Sequence, residues 1–382
     1  MSARVAVIGA GVFGAWTAHH LLAVGHEVML IDAWGPANSR ASSGGESRLT
    51  RGAYGRDAIY TRMARDSLPQ WQELSATAGL PIFIPGGVLF FFPNEQPYFR
   101  DTLAVHRKLG LATEALDRAE MGRRFPMFDF EGIEVGLYEP GFGALMARRS
   151  VATLVENFVR AGGKYLMGNV APPTGPDALS EIKLSSGERL NADLFVFALG
   201  AWLPNLFPEV IGPRIRPTRQ EIFFFAPPAG DDRFSPSALP CWADFNDGDM
   251  FYGFPDLESR GVKFAHDRHG IEIDPDSQDR RSTQAALDEI IAFRDRRFPL
   301  LRGAPLTESR VCQYENSSNG DFLIDFHPRW ENVLLVGGGS GHGFKHGPEV
   351  GRYAVGRLFD SVEAEPRFGL PSKAETHHRE VH

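Results

Sequence analysis

The chain of 382 residues carries a formal charge of −8, with 43% hydrophobic and 23% charged residues. That length exceeds one ordinary core and suits two domains with substantial interiors. An acidic balance with arginines spread along the chain excludes a nucleic-acid footprint, and no apolar run approaches the roughly 20 residues that cross a bilayer. Cys241 and Cys312 are too few for a disulfide framework and have no zinc spacing. The apolar start reads as a strand rather than a leader peptide. These features lead us to expect a small-molecule partner, no metal, a cytoplasmic location, and a monomer or weak dimer.

The first predicted unit is Val5 to Asp32. VAVIGAGVFG opens as a buried strand, glycines follow at Gly9, Gly11 and Gly14, a helix is predicted from Ala15 to Val24, and a second strand from Glu27 ends at Asp32. Gly9 allows a tight turn, Gly11 lets backbone approach a pyrophosphate, and Gly14 lets the helix pack close on the strand. Phosphate oxygens would meet the free N–H groups at the helix start. Asp32 would accept hydrogen bonds from a ribose, and an acid there argues against a 2′-phosphate. The polar connection Gly35 to Glu46 leads into SRLTRG, a loop able to close over a cofactor.

Further along, helices are predicted over 57–78 and 96–109, flanking the apolar run from Pro81 to Pro93. A helix over 150–161 and a small hairpin at Ser186-Gly187 precede the strand that ends in Ala198-Leu199-Gly200-Ala201-Trp202. Strand-like runs at 221–225, 250–254 and 261–265 alternate with loops, and a helix covers 283–293. This is the composition of an antiparallel sheet carrying a substrate pocket. Strands at 322–324 and 332–336 then lead to Gly337-Gly338-Gly339-Ser340-Gly341-His342-Gly343-Phe344-Lys345 and a helix over 348–359.

The opening unit alone does not separate NAD from FAD. A second strand, glycine-rich loop and helix, about three hundred residues later, suit a cofactor as long as FAD. In this context the chain resembles the amine-oxidising flavoproteins that include monomeric sarcosine oxidase, N-methyltryptophan oxidase and pipecolate oxidase, in the D-amino acid oxidase-like superfamily. The matching pieces are VAVIGAGVFG with Asp32, ESRLTRGAYG at 46–55, ALGAW at 198–202, YGFP at 252–255, VCQY at 311–314 and GSGHGFK at 339–345. They fall in the family's order along nearly the whole chain.

The resemblance implies an α/β protein, with a discontinuous Rossmann-like FAD-binding domain (1–80, 145–215 and 310–365) interleaved with an α+β substrate domain on an antiparallel sheet (81–144 and 216–309). Residues 366–382 would form a loosely ordered tail. FAD would lie along Gly9, Ala10, Gly11, Val12, Phe13, Gly14, Asp32, Ala33 and Ser43, with Arg48, Gly200 and Trp202 beside it. Gly339, Gly341, His342, Gly343, Phe344 and Lys345 would face the flavin, and Cys312 would be joined to its 8α carbon through sulfur. A buried inert thiol is the alternative for Cys312, and Cys241 is read as structural.

By the same resemblance, Arg51 and Lys345 would hold a substrate carboxylate, Lys263 would promote reaction with molecular oxygen, and Tyr252 and Tyr314 would line the pocket. The sequence departs from the family where a pocket histidine commonly stands. Here that position is Asp267, flanked by His266 and His269. Either His266 takes the role after a one-residue adjustment or Asp267 faces a basic part of the substrate. The implied activity is oxidation of a secondary amine, an N-alkyl α-amino acid, by hydride transfer to FAD, yielding an imine and hydrogen peroxide. The alternatives are an oxidase of bulkier sugar-modified or cyclic amino acids and a dehydrogenase passing electrons to a partner.

Overall fold

The structure is a computed structural model that describes residues 2–175, 177–246, 249–268, 270–359 and 361–377. The first strand, Arg4–Ile8, is buried on both faces because Val5 and Val7 enter one apolar cluster while Ala6 and Ile8 enter another. It pairs in parallel with Glu27–Asp32 on one side and Leu194–Phe197 on the other. Lys164–Met167 and Val333–Gly337 extend the parallel sheet, and Leu323–Phe326 closes one edge antiparallel. Helix Val12–Ala23 lies on this six-stranded sheet. The turn between strand and helix works because Gly9 has φ 106° and a Cβ there would fall 2.3 Å from the Ala198 carbonyl oxygen. Gly14 is as constrained, since its Cβ would lie 1.8 Å from the Gly9 carbonyl oxygen.

A second sheet has eight strands, beginning with Leu306–Ser317, Ile215–Phe225, Val262–Asp267, Asp249–Phe254 and Cys241–Asn246, then Val88–Phe92, Val135–Glu139 and Glu114–Asp117. Its pairings are antiparallel except for Cys241–Asn246, which runs parallel to Val88–Phe92. The twelve-residue strand Leu306–Ser317, not anticipated as a strand, carries Cys312 on this second sheet. A small sheet of Arg48–Thr50, Gly143–Leu145 and Phe83–Pro85 lies beside the pocket described below.

Helix Gln284–Arg297 packs on one face of the large sheet, where Phe251 stacks between Phe293 and His266 with ring centroids 4.1 Å apart on each side. The chain from 366 to 373 corrects the expectation of a loose tail. It forms two short 3-10 turns with Phe368 and Lys373 buried, and Arg367 pairs with both Asp57 and Asp321. Residues 378–382 and His269 lie outside the described residues. Among the described residues no helix is long and apolar enough to cross a membrane.

Candidate active site

A cavity of about 420 Å³ runs along the edge of the parallel sheet. At one end Asp32 accepts the Ala10 amide and the Trp34 amide, each at 2.8 Å, and burial pushes its carboxyl upward. Helix Val12–Ala23 begins at Gly11 without a side-chain cap, and the Val12 amide reaches Ser43 Oγ at 3.4 Å. Amide donors and the positive end of the helix therefore face the cavity. Its wall includes Gly9, Gly11, Val12, Phe13, Asp32, Ala33, Ser43, Arg48, Gly200, Trp202, Gly339, Gly341, Gly343 and Phe344. Ala10 and Gly14 are not in that wall, because Ala10 turns its amide to Asp32 and Gly14 is pressed against the strand.

These residues fit an adenine dinucleotide. The acid suits a ribose and the helix start suits phosphate. The far loop brings bare backbone to the cavity: a Cβ on Gly339 would lie 2.6 Å from Glu315 Oε1, and one on Gly343 would lie 2.7 Å from Phe13 Cζ. Glu315 itself, missed in the sequence, is half-buried in this wall and accepts the Ser42 hydroxyl at 2.7 Å. Burial drives its carboxyl upward.

A second cavity of about 90 Å³ adjoins the first, sharing Arg48, Tyr314, Gly341 and Phe344. Strand alternation builds its floor. Gln220 and Ile222, Met250, Tyr252 and Phe254, Lys263 and Asp267, and Cys312, Tyr314 and Asn316 all point to this face. Tyr252 and Tyr314 meet hydroxyl to hydroxyl at 3.2 Å, and burial pushes Tyr252 up to about 12. Arg51, His342 and Lys345 enter from the opposite wall.

Four basic side chains gather here. The Arg51 guanidinium lies 4.1 Å from the centre of the Tyr54 ring and donates to the Ala53 carbonyl. Lys345 Nζ donates to the Tyr54 hydroxyl at 2.8 Å and to the His342 carbonyl at 2.7 Å. Lys263 Nζ donates to the Ser47 carbonyl at 2.9 Å and lies 4.5 Å from the centre of the Phe254 ring. Burial, reinforced by a neighbouring guanidinium, holds both lysines well below the usual range, with Arg48 acting on Lys263 and Arg51 on Lys345. Arg48 donates to the Gly45 and Ser47 carbonyls and approaches Cys312 Sγ at 3.7 Å.

His266 is the residue the structure removes from the site. On Val262–Asp267 the odd positions Lys263 and Asp267 face the cavity, so His266 points to the other face, bound to Asp249 at 2.5 Å and Glu289 at 3.1 Å. A one-residue adjustment would turn the whole strand over. Asp267 therefore occupies the pocket position, where its field helps to raise Arg51 and partly counters the burial that depresses Lys345.

Besides Glu315, three neighbours of the pocket escaped the sequence reading. Tyr54 bridges Arg51 and Lys345, and lay unused inside the ESRLTRGAYG match. Glu139 and His106 lie beneath the Arg51 loop, fully buried, with Glu139 accepting the Gly52 amide at 2.9 Å. No local pattern marks either one. A buried acid at the end of Val135–Glu139, a segment the sequence reading passed over, is recognisable only once the Arg51 loop is folded over it.

A glycine-turn nucleotide fold joined to a second sheet, with a long cavity ending in a buried basic pocket, defines a dinucleotide-dependent enzyme. The family model described as FAD dependent oxidoreductase (DAO) matches residues 4–357, and the chain belongs to that family. It is an FAD-dependent oxidoreductase. Monomeric sarcosine oxidase of Streptomyces avermitilis is 31% identical over 95% of both chains. Monomeric sarcosine oxidase of Bacillus sp. is 29% identical over 91% of this chain and 90% of the relative. The solved L-proline dehydrogenase of P. horikoshii superposes with a TM-score of 0.84 over 97% of both chains at 19% identity, a likeness of fold alone.

Proposed function

We propose that the chain oxidises the carbon–nitrogen bond of an N-alkyl α-amino acid, giving an imine and reducing oxygen to hydrogen peroxide. The observation that carries this reading is the convergence of buried Arg51 and Lys345 through Tyr54 in a small cavity opening onto the dinucleotide cavity. A planar fork and a point charge together suit one carboxylate. The sarcosine oxidases among the relatives support the amine.

Bound FAD supplies a two-electron acceptor. The chain's residues orient and enclose. Arg51 and Lys345 anchor the carboxylate, the apolar rings of Phe254 and Phe344 exclude water, and the closed pocket favours the neutral amine, whose C–H hydrogen leaves as hydride. Gly339 to Gly343 present backbone near charge that develops on reduction, and Lys263 offers a positive charge for oxygen. Cys312, on the pocket face beside Arg48, is the proposed point of covalent attachment. Asp267 on the same face favours a second reading, in which the substrate is bulkier and carries a further polar or basic group.

The test is a peroxide-coupled screen of the FAD-loaded enzyme with N-methyl and cyclic amino acids, each beside the same amine lacking its carboxylate. The carboxylates should be preferred by roughly 10- to 100-fold in kcat/KM, the worth of a charge-assisted pair, and Arg51→Gln should erase the preference. Equal turnover of the amines without carboxylate would sink the reading. Flavin reduction without peroxide would point to a protein electron acceptor.

A further inference from the structure

Beneath the proposed carboxylate anchor lies a buried pair that the reaction does not use. Glu139, at the end of Val135–Glu139, is 0% exposed, and His106, in helix Pro97–Leu109, is 1% exposed. Their facing atoms, Glu139 Oε1 and His106 Nε2, stand 3.6 Å apart. Neither His106 Nε2 nor Glu139 Oε2 has a hydrogen-bond partner. Thr113 Oγ1 stands 2.7 Å from His106 Nδ1 and 3.4 Å from the Leu111 carbonyl. The ring and the carboxyl group are thus enclosed face to face, and a proton added to the pair removes a buried charge.

The pair is wired to the anchor. Glu139 Oε1 accepts the amide of Gly52, the residue next to Arg51. A Cβ on Gly52 would lie 3.1 Å from Glu139 Oε1 and 3.2 Å from His106 Nε2, so glycine keeps the space between them open. The ionisable groups around Glu139 are Arg51 and Tyr54 from the loop, Tyr98 and His106 from the helix, and Lys345 from the 3-10 turn Phe344–His346. When ionised, Glu139 joins Asp267 in offsetting the charge of Arg51. An arriving carboxylate supplies that balance itself, which makes the second buried anion redundant and costly.

We propose that Glu139 is a positioning residue that takes up a proton from solvent when a carboxylate binds at Arg51 and Lys345, and releases it when the ligand leaves. The proposal rests on the carboxylate-site reading above. Burial pushes the Glu139 carboxyl up to about 7, against the pull of the Gly52 amide and Arg51, so the group is poised where a nearby anion can tip it. The sign follows directly. Above the Glu139 titration the bound state must acquire a proton the free state lacks, so the Kd of a carboxylate rises with pH, by up to about tenfold per unit.

The experiment is calorimetric titration of propionate into the FAD-loaded enzyme near neutral pH, in phosphate and in Tris, whose different ionisation heats count protons. Wild type should take up about half a proton near neutral pH and approach one as the pH is raised above the Glu139 titration, and Glu139→Gln none, with its Kd flat across the same pH range. Uptake unchanged in Glu139→Gln would place the proton on Lys345 and overturn the proposal. Should that variant fail to fold, the wild-type infrared difference spectrum decides. A protonated-carboxyl C=O band should appear with propionate, and its absence overturns the assignment. Saturable binding without Glu139-dependent uptake would leave the carboxylate site standing, whereas no binding of propionate would remove both.

Discussion

Cys312 shows how little a single residue type says without its neighbours. Cys241 is buried among apolar groups, and burial drives its thiol far upward, which leaves it inert. Cys312 is partly exposed, on the pocket face of its strand, with the Arg48 guanidinium 3.7 Å from its sulfur. Intact-mass measurement of denatured protein should find the mass of FAD retained by the wild-type chain and lost in Cys312→Ser; freely released flavin from wild type would refute the link. Lys263 allows a comparable test. Lys263→Met should slow reoxidation of the reduced enzyme by oxygen by roughly 100-fold or more, the scale of a lost charge stabiliser. Anaerobic reduction by substrate should change little. Stopped-flow traces in which both half-reactions slow together would instead make Lys263 a packing element.

At the scale of elements, period-two alternation sorts the site. It lifts Asp267 into the pocket and turns His266 away to Asp249 and Glu289, a choice the flanking residues could not make until pairing fixed the register of Val262–Asp267. The opening helix is constrained in another way, through contact of backbone with backbone. Gly14→Ala would place a methyl 1.8 Å from the Gly9 carbonyl oxygen, a clash that only separation of helix Val12–Ala23 from its strand relieves. We expect destabilisation of about 1–3 kcal/mol and a marked loss of bound flavin. Thermal melting with flavin quantification checks this, and an unchanged melting temperature at full flavin content would show that the helix can shift without cost.

For the whole molecule, the last described segment acts as a clasp. Arg367 spans Asp57 and Asp321, residues 264 positions apart in sequence, and Phe368 is 1% exposed against the first core cluster. A chain ending at Ala364 should therefore melt at a lower temperature, with a loss of the order of 3 kcal/mol expected from uncovering one buried aromatic. A melting temperature equal to that of the full chain would mean the segment rests on a finished core. Its polar composition hid this role, because the anchoring partners lie in distant parts of the chain.

The dinucleotide unit was legible for a physical reason: a glycine turn, a helix start and a closing acid act over 28 residues, so spacing alone carries their chemistry. Strand and helix periodicities likewise marked much of both sheets, though the long Leu306–Ser317 strand, half polar and partly exposed, gave no such signal. Tertiary structure decided what no local pattern encodes. Tyr54 meets Lys345 across 291 residues, and Glu139 and His106 come from different elements to lie under Arg51. Burial and charge at such a meeting point depend on which surfaces close over it, and that is settled only when the chain has returned to its own beginning.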